Sequence, residues 1–334
     1  MGMLYGGKWV DRAPQKTSSG GGEYHRAPSQ FRGWLEGSED APSGPFWPVD
    51  PLRYRLYVAL ACPWAHRTLL VRTLYGLEEA LPVAVVAPEM MADGWVFDEV
   101  HPDLFEQHAH LRSLYLQADP HCTSRVTVPV LWDSRDKTIV NNESSEIIRM
   151  LAGPFAQLGR SDAPLAGYDL RPAPLRAEID AVNERVYARV NNGVYRTGFA
   201  TTQSAYERSV HALFDTLDWL EARLRTQRWL VGNHFSEADL RLFPTLVRFD
   251  AVYYGHFKCS IRKLKDYPAL SAWTRDVYQL PGVAQTVDLE DARRHYYFSH
   301  RGINPRGIVP AWSPEVFSAP TGRALLGPTP GAPG

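Results

Sequence analysis

The chain has 334 residues, 44% of them hydrophobic, which is enough for two domains that each bury a core. Its 36 Lys and Arg nearly balance 37 Asp and Glu, and a net charge of −1 predicts neither a nucleic acid nor an anionic membrane as partner. No stretch is apolar for long enough to span a bilayer. The three cysteines are too few for a disulfide framework, so we expect a cytoplasmic protein.

The first 50 residues are rich in Gly, Pro and Ser and show no sustained hydrophobic period, as in KTSSGGGEYHRAPSQ. This composition predicts an extended N-terminal arm over residues 1–50. Its aromatic residues are the candidate anchors of the arm: Trp9, Phe31, Trp34 and Trp47.

Regular structure is first indicated by LYVALACPWAHRTLLVRTLYGL. The apolar run 56–60 predicts a buried strand, and Pro63 suits the first turn of a helix whose apolar residues recur at helical spacing. Cys62 lies between the two. Backbone N–H groups at a helix N-terminus stabilise a thiolate, so we expect the pKa of Cys62 to fall below the ordinary value of about 8.5. Cys62 is the predicted nucleophile; an inert buried cysteine is the alternative.

The turn CPWA also limits the chemistry of Cys62. Ala65 stands where a dithiol oxidoreductase has its second cysteine. A mixed disulfide at Cys62 therefore needs another thiol to resolve it, either Cys122, Cys259 or a small thiol from solution. Glutathione is the abundant cytosolic thiol, and we expect it as co-substrate.

The following segments complete a first domain, placed at residues 51–152. LPVAVVAP (81–88) predicts a second strand, which makes a parallel, right-handed βαβ unit with the first strand and helix. After an irregular insert (89–124), RVTVPVLWDSRDKTIVNN predicts a hairpin around the polar turn 133–137, and ESSEIIRML predicts a helix. The order βαβ, hairpin, helix is that of a thioredoxin-like domain.

Two strand-associated residues are candidate glutathione contacts. Pro129 lies inside a strand pattern; a thioredoxin-like context predicts a cis bond that presents the Val128 backbone to a thiol ligand. A trans proline in an edge strand is the alternative. Arg125 is a candidate partner for a ligand carboxylate, or else a solvated surface arginine.

Two further segments offer candidate contacts. In NNESSEII, Ser144 and the backbone N–H groups at a helix start could bind a ligand carboxylate while Glu143 pairs with its ammonium. Plain N-capping is the alternative. Trp95, in the insert, is a candidate lid over the ligand, or a loop aromatic packed on the core.

Beyond a predicted linker at 153–172, long helical patterns indicate an all-α domain at 173–310. YERSVHALFDTLDWLEARL places apolar residues on one stripe, and SEAD matches a capping box. Pro and Gly return in the last residues, which predicts a flexible tail at 311–334.

These motifs together resemble the glutathionyl-hydroquinone reductases, the omega-like Xi class of the glutathione transferase superfamily. ACPWAHR and NNESSEI together are the specific segments, and the match extends through VYRTGFATTQSAYE and HYYFSH to INPRGIVP. The resemblance implies an α/β plus all-α fold, with a thioredoxin-like N-terminal domain and an all-helical glutathione-transferase C-terminal domain. It also implies a homodimer, glutathione without a metal, and removal of glutathione from glutathionyl-hydroquinones through a Cys62–glutathione mixed disulfide.

The resemblance points to Tyr195 and Tyr296 as catalytic tyrosines, which would supply a proton or hold the ring hydroxyls; packing is the alternative role. It leaves open which of Tyr296 and Tyr297 faces the site. Tyr297 and His256 are tentative hydroquinone contacts, and a helix-surface histidine is the alternative for His256.

Two other functions are compatible with these residues. An omega-like thiol transferase or dehydroascorbate reductase needs the same cysteine and glutathione site, but not the tyrosines. A non-catalytic binding module with the same fold would have an ordinary cysteine pKa.

Overall fold

The computed structural model describes residues 2–11, 20–42, 46–313 and 317–331, and the chain divides into two compact units. The remaining parts of the predicted arm and tail lie outside the described residues. One unit contains the described residues of Met1–Lys16, Ala27–Ala166 and Thr286–His295. The other contains those of Thr17–Arg26, Gly167–Gln285 and Tyr296–Gly334. Part of the predicted arm thus packs with the helical unit, and a segment near the end packs with the first.

Within the described residues, the first unit contains a four-stranded mixed sheet in the order β6-β5-β7-β8 and two short two-stranded ladders. β5 and β6 are parallel, and β7 is antiparallel to both β5 and β8. The strands are β1 (Met3–Tyr5), β2 (Lys8–Val10), β3 (Trp34–Leu35), β4 (Phe46–Trp47), β5 (Tyr54–Val58), β6 (Val83–Val85), β7 (Val130–Asp133) and β8 (Thr138–Asn141).

The predicted βαβ unit, hairpin and closing helix are confirmed. The helices are α1 (Pro63–Leu74), which joins β5 to β6, α2 (Arg112–Ala118) in the insert, and α3 (Ser144–Ala152) after β8. The first strand ends at Val58 rather than at Leu60, because the Cys62 N–H donates to the Ala59 carbonyl (3.0 Å) in a turn. Pro129 precedes β7 rather than lying inside it, since proline has no N–H for the ladder.

The second unit is helical. Its helices are α4 (Arg176–Val186), α5 (Gly193–Gly198), α6 (Gln203–Leu224), α7 (Glu237–Leu246), α8 (Tyr254–His256) and α9 (Pro268–Tyr278). The last helix, α10 (Leu289–Ser299), begins among the residues of the first unit and ends among those of the second. The predicted apolar stripe of α6 is buried. The predicted capping box is formed by Ser236 and Asp239 at the start of α7.

Two of the predicted aromatic anchors of the arm, Trp9 and Phe31, contact the insert. The Trp9 indole donates to the Ala92 carbonyl (2.9 Å), and the Arg112 guanidinium lies 5.0 Å from the Trp9 ring centroid. Phe31 packs edge-on against Tyr115, with ring centroids 5.6 Å apart. These contacts tie the arm to the insert rather than leaving it extended in solvent.

The prediction of a flexible tail is wrong for residues 317–331. The Arg323 side chain is buried and donates to the carbonyls of Leu224 (3.0 Å) and Arg228 (2.7 Å). The Gln279 amide donates to the Phe317 carbonyl (2.7 Å). A Pro- and Gly-rich composition does not exclude order where buried side chains fix the backbone. Over the residues described, no helix is both long and apolar enough to cross a membrane.

Candidate active site

Cys62 occupies the position directly before the first turn of α1. Its backbone is extended (φ −81°, ψ 121°), and Pro63 is the first residue of the helix, as the sequence predicts. The Cys62 side chain is partly exposed, whereas Cys122 and Cys259 are buried. Burial raises the pKa of Cys122 to about 11 and also raises that of Cys259, so both remain protonated at neutral pH. Cys62 is therefore the accessible thiol of the three.

The predicted cis proline lies beside this thiol. The Val128–Pro129 peptide bond is cis, which confirms that prediction. The Cys62 Sγ lies 3.7 Å from the Val128 carbonyl oxygen, close enough for a weak S–H donor contact. Two segments 66 residues apart are thus brought together, and the backbone before Pro129 is available at the nucleophile.

Glu143 caps the N-terminus of α3. Its Oε1 accepts from the Ser145 N–H (3.2 Å) and hydroxyl (3.0 Å), and its Oε2 accepts from the Ser29 hydroxyl (3.1 Å). Burial raises the pKa of Glu143, but the hydrogen bonds from Ser145 and the charge of Arg67 outweigh it, so the net pKa is lowered. The N-capping alternative is therefore observed for Glu143, and the cap is an ionised carboxylate that could also pair with an ammonium.

Arg67 is a charged neighbour that the sequence analysis did not single out. It is buried on α1, one turn after Cys62, and its Nη1 lies 3.4 Å from the Ser144 hydroxyl. The guanidinium also lies 4.7 Å from the Trp64 ring centroid. The signal was present in ACPWAHR: an arginine lies within the first two turns of the helix that begins beside Cys62.

Trp95 and Arg125 differ in their surroundings. Trp95 is buried and stacks on His295, with ring centroids 4.8 Å apart and the planes 19° from parallel. Trp95 is thus a packed loop aromatic in the structure. Its function as a lid over the ligand stays a prediction. Arg125 is half-buried and lies four residues before Pro129. Its contact with a ligand carboxylate also stays a prediction.

The predicted tyrosines lie in the second unit and share a hydrogen-bonded cluster. The hydroxyl of Tyr195 is 2.6 Å from that of Tyr296, which in turn is 3.3 Å from the hydroxyl of Tyr253. All three side chains are buried. The Tyr297 hydroxyl instead lies 3.5 Å from the Val252 carbonyl. Tyr253 had not been singled out, because nothing in DAVYYGH distinguishes it from a packing tyrosine.

Other groups surround the tyrosine cluster. His256 is buried, so the helix-surface alternative is wrong; its Nε2 lies 3.1 Å from Nδ1 of His300. The His256 ring packs edge-on against Tyr297 (4.9 Å between centroids). The Arg26 guanidinium lies 5.0 Å from the Tyr195 ring centroid. The described residues include no group of three or more His, Cys, Asp or Glu side chains that could hold a metal ion.

Family models match both units of the chain. Residues 61–153 match the glutathione S-transferase N-terminal domain, and residues 203–276 match the C-terminal domain. Glutathionyl-hydroquinone reductase PcpF of Sphingobium chlorophenolicum is 50% identical over 313 residues, which cover 93% of this chain and 96% of PcpF. The chain belongs to the glutathionyl-hydroquinone reductases, the Xi class of glutathione transferases. Its α/β plus all-α fold is that of glutathione transferases.

Solved structures of this Xi class are similar over nearly the whole chain. The glutathione-bound structure of YqjG from Escherichia coli has a TM-score of 0.86 and 44% identity, and covers 97% of this chain and 99% of its own. A Xi-class transferase from Natrialba magadii has a TM-score of 0.88 and 40% identity, with 98% of each chain covered. The predicted Xi-class resemblance is therefore confirmed.

Proposed function

We propose that this chain is a glutathione-dependent reductase that removes glutathione from glutathionyl-hydroquinones. The observation that carries the proposal is the accessible Cys62 thiol at the start of α1, 3.7 Å from the carbonyl of the cis Val128–Pro129 bond. A Ser or Tyr at this turn would activate glutathione for conjugation by hydrogen bonding. A cysteine can instead attack the glutathionyl sulfur and hold it covalently.

The reaction proceeds in two steps, attack of a thiolate on the thioether sulfur and then thiol–disulfide exchange. The Cys62 thiolate attacks the sulfur of the glutathionyl-hydroquinone; a Cys62–glutathione disulfide forms, and the carbon–sulfur bond breaks. The electron pair of that bond stays on the ring carbon, which takes up a proton to give the hydroquinone. The thiolate of a second glutathione attacks the mixed disulfide, releasing glutathione disulfide and the Cys62 thiolate. The ring carbon is reduced, while the thioether sulfur of the substrate and the thiol sulfur of the second glutathione end in the oxidised disulfide.

The glutathionyl group is bound by the N-terminus of α3 and the segment before β7. Backbone N–H groups at the start of α3 and the Ser144 hydroxyl bind one carboxylate, because a helix N-terminus carries a partial positive charge. The ionised Glu143 pairs with the ammonium group. Val128 and Pro129 present their backbone to the cysteinyl part. Arg125 and Trp95 are the remaining predicted contacts.

On the family resemblance, Tyr195 and Tyr296 are assigned to supply the proton for the ring carbon. Tyr195 and Tyr296 share a 2.6 Å hydrogen bond, so loss of a proton from one phenol is offset by donation from the other. Tyr297 and His256, which pack against each other, are the proposed contacts for the aromatic ring.

The experiment is hydroquinone release from a glutathionyl-hydroquinone with excess glutathione, measured by chromatography. Wild type should release hydroquinone, Cys62→Ser should release none, and Cys122→Ser should retain the activity because Cys122 is buried and protonated. No release by wild type would overturn the proposal. Release retained in Cys62→Ser would overturn the assignment of the nucleophile.

Two rival functions are separated by further assays. If Tyr195→Phe and Tyr296→Phe leave hydroquinone release unchanged while dehydroascorbate is reduced well, the chain is an omega-like thiol transferase. A non-catalytic module would show iodoacetamide labelling of Cys62 with a midpoint near pH 8.5. The reductase should label with a midpoint well below that value, because the helix N-terminus stabilises the thiolate.

Homodimerisation and a cytoplasmic location complete the proposal. None of the three cysteines, all of which the structure describes, forms a disulfide, which supports a reducing compartment. Light scattering after gel filtration should give twice the mass of the chain. Fractionation of cells should place the protein with cytosolic markers. A monomeric mass would contradict the homodimer, and a protein that pellets with the membranes would contradict the cytoplasmic location.

A further inference from the structure

The hydroxyl of Tyr115 lies at the centre of a hydrogen-bond network in the first unit. Tyr115 belongs to α2, within the long insert, and its side chain is fully buried. The hydroxyl donates to the Thr127 carbonyl (2.8 Å) and accepts from the Thr127 N–H (3.1 Å) and the Asn142 side-chain amide (3.1 Å). One donor and two acceptor sites are the full capacity of a phenol.

The two partners of Tyr115 are next to the predicted glutathione contacts. Thr127 immediately precedes Val128 and the cis Pro129, and Asn142 immediately precedes Glu143 at the start of α3. A single buried hydroxyl therefore joins the two backbone segments that the proposed function assigns to glutathione. Neither partner residue is itself among those contacts.

The N-terminal arm holds the other side of Asn142. The Asn142 N–H donates to the Phe31 carbonyl (3.0 Å), and its side-chain oxygen accepts from the Phe31 N–H (3.2 Å). The Phe31 ring also packs edge-on against Tyr115. The insert and the arm thus meet at one asparagine, whose position sets that of the α3 N-terminus.

We propose that Tyr115 is a positioning residue for glutathione: its hydroxyl fixes the spacing between the backbone at Thr127–Val128 and the N-terminus of α3. This inference rests on the proposed function, because it assumes that these two segments bind the same ligand. The insert, which contains Tyr115, would therefore contribute to glutathione binding. Binding groups held at a fixed separation bind better because less conformational freedom is lost on binding.

The test is glutathione binding by calorimetry under reducing conditions, with Tyr115→Phe against Tyr57→Phe. Tyr57 is the matched control: its side chain is also buried in the first unit, and its hydroxyl donates to Asp103 (3.1 Å), which belongs to neither segment. Tyr115→Phe should weaken glutathione binding about tenfold or more, while Tyr57→Phe should leave it within about twofold of wild type. The turnover number at saturating glutathione should fall much less than the affinity.

A second variant keeps the inference testable if Tyr115→Phe folds poorly. Asn142→Ala leaves Tyr115 in place and removes the amide that donates to its hydroxyl, so this variant alone should also weaken glutathione binding. Unchanged glutathione affinity in both variants would overturn the inference.

The failure of this inference and that of the proposed function are distinguishable. Calorimetry needs no turnover, so an absence of hydroquinone release overturns the reductase and leaves the effect of Tyr115 measurable. Unchanged affinity in an active Tyr115→Phe variant overturns the positioning role alone. A wild-type chain that binds no glutathione overturns both.

Discussion

The hydroxyl oxygens of Tyr195 and Tyr296 lie 2.6 Å apart, although 101 residues separate them in the sequence. The Tyr253 hydroxyl extends the contact to a chain of three phenols with Tyr296 in the middle. Tyr297, the next residue on α10, directs its hydroxyl toward the Val252 carbonyl instead, since consecutive helical residues differ by about 100° in direction. The adjacent tyrosines therefore have different partners.

Loss of the Tyr296 hydroxyl should be more damaging than loss of the Tyr297 hydroxyl. Tyr296→Phe interrupts the phenol chain, so we expect hydroquinone release to slow by about 10²-fold, the low end for loss of a general acid. Tyr297→Phe should slow hydroquinone release by a several-fold smaller factor. Turnover with saturating glutathione measures both, and a larger loss in Tyr297→Phe would contradict the assignment of Tyr296.

Neutralising the N-cap of α3 should weaken glutathione binding. Glu143→Gln removes the charge proposed to pair with the ligand ammonium, so KM for glutathione should rise at least about tenfold. Stability should fall by about 1 kcal/mol, because the cap carboxylate is lost. Glu146→Gln is the control: Glu146 pairs with Arg32 and accepts from the Asn141 amide (2.8 Å), and glutamine keeps an oxygen for that amide. Equal KM values in the two variants would contradict the pairing.

The lowered pKa of Glu143 should also make the stability of the protein depend on pH. A carboxylate whose pKa is lower in the folded state stabilises the protein above its unfolded pKa of 4.5. That contribution disappears as the pH falls through the lower folded value. Denaturant titrations below pH 5 should therefore show that the free energy of unfolding falls more steeply with falling pH in wild type than in Glu143→Gln. The same dependence on pH in both proteins would contradict this prediction.

His295 should make the protein sensitive to mild acid. Burial lowers its pKa to about 4, so the folded state resists protonation that the unfolded chain accepts below pH 6.5. Stability should be constant above about pH 6.5 and fall toward pH 4, by roughly 3 kcal/mol at about 1.4 kcal/mol per unit of pKa difference. His295→Asn should flatten this fall because asparagine keeps a donor for the Pro88 carbonyl without titrating.

The exposed His121 provides the control for this measurement. Thermal melts of His121→Asn at pH 7 and pH 5 should reproduce the wild-type difference in Tm. If His295→Asn reproduces it as well, His295 is not the group responsible.

The ordered tail should contribute to stability. Arg323→Met removes a buried guanidinium and leaves main-chain carbonyls without their donor, so we expect a loss of about 1–3 kcal/mol. Leu325→Ala, two residues on, is the control because Leu325 is 94% exposed. Urea titration compares the two, and an unchanged Arg323→Met would mean that the tail is dispensable for folding.

Local patterns predicted the elements that carry the nucleophile. The apolar run, Pro63 and the helical spacing gave the strand, turn and helix around Cys62. SEAD gave the cap of α7. Each of these signals lies within about a dozen residues, where backbone geometry and capping are decided.

Hydrogen bonds between residues far apart in the chain could not be predicted from the sequence. The Tyr115 contacts with Thr127 and Asn142, the Tyr253 contact with Tyr296 and the carbonyl partners of Arg323 each need a fold to bring them together. The side chains involved also have ordinary packing roles, so their identity alone does not mark them. Composition was misleading for the tail, because a single buried arginine can order a Pro- and Gly-rich segment.

Because the cysteines differ in accessibility, their reaction with a dye can report on the folded state of the chain. A folded molecule offers the partly exposed Cys62 to a maleimide dye, while Cys122 and Cys259 react only once the structure opens. One equivalent of dye therefore labels a single known atom, and additional dye uptake counts molecules that have unfolded. A ligand that covers the start of α1 should slow this labelling, so the rate of dye uptake would follow ligand binding without any engineered cysteine.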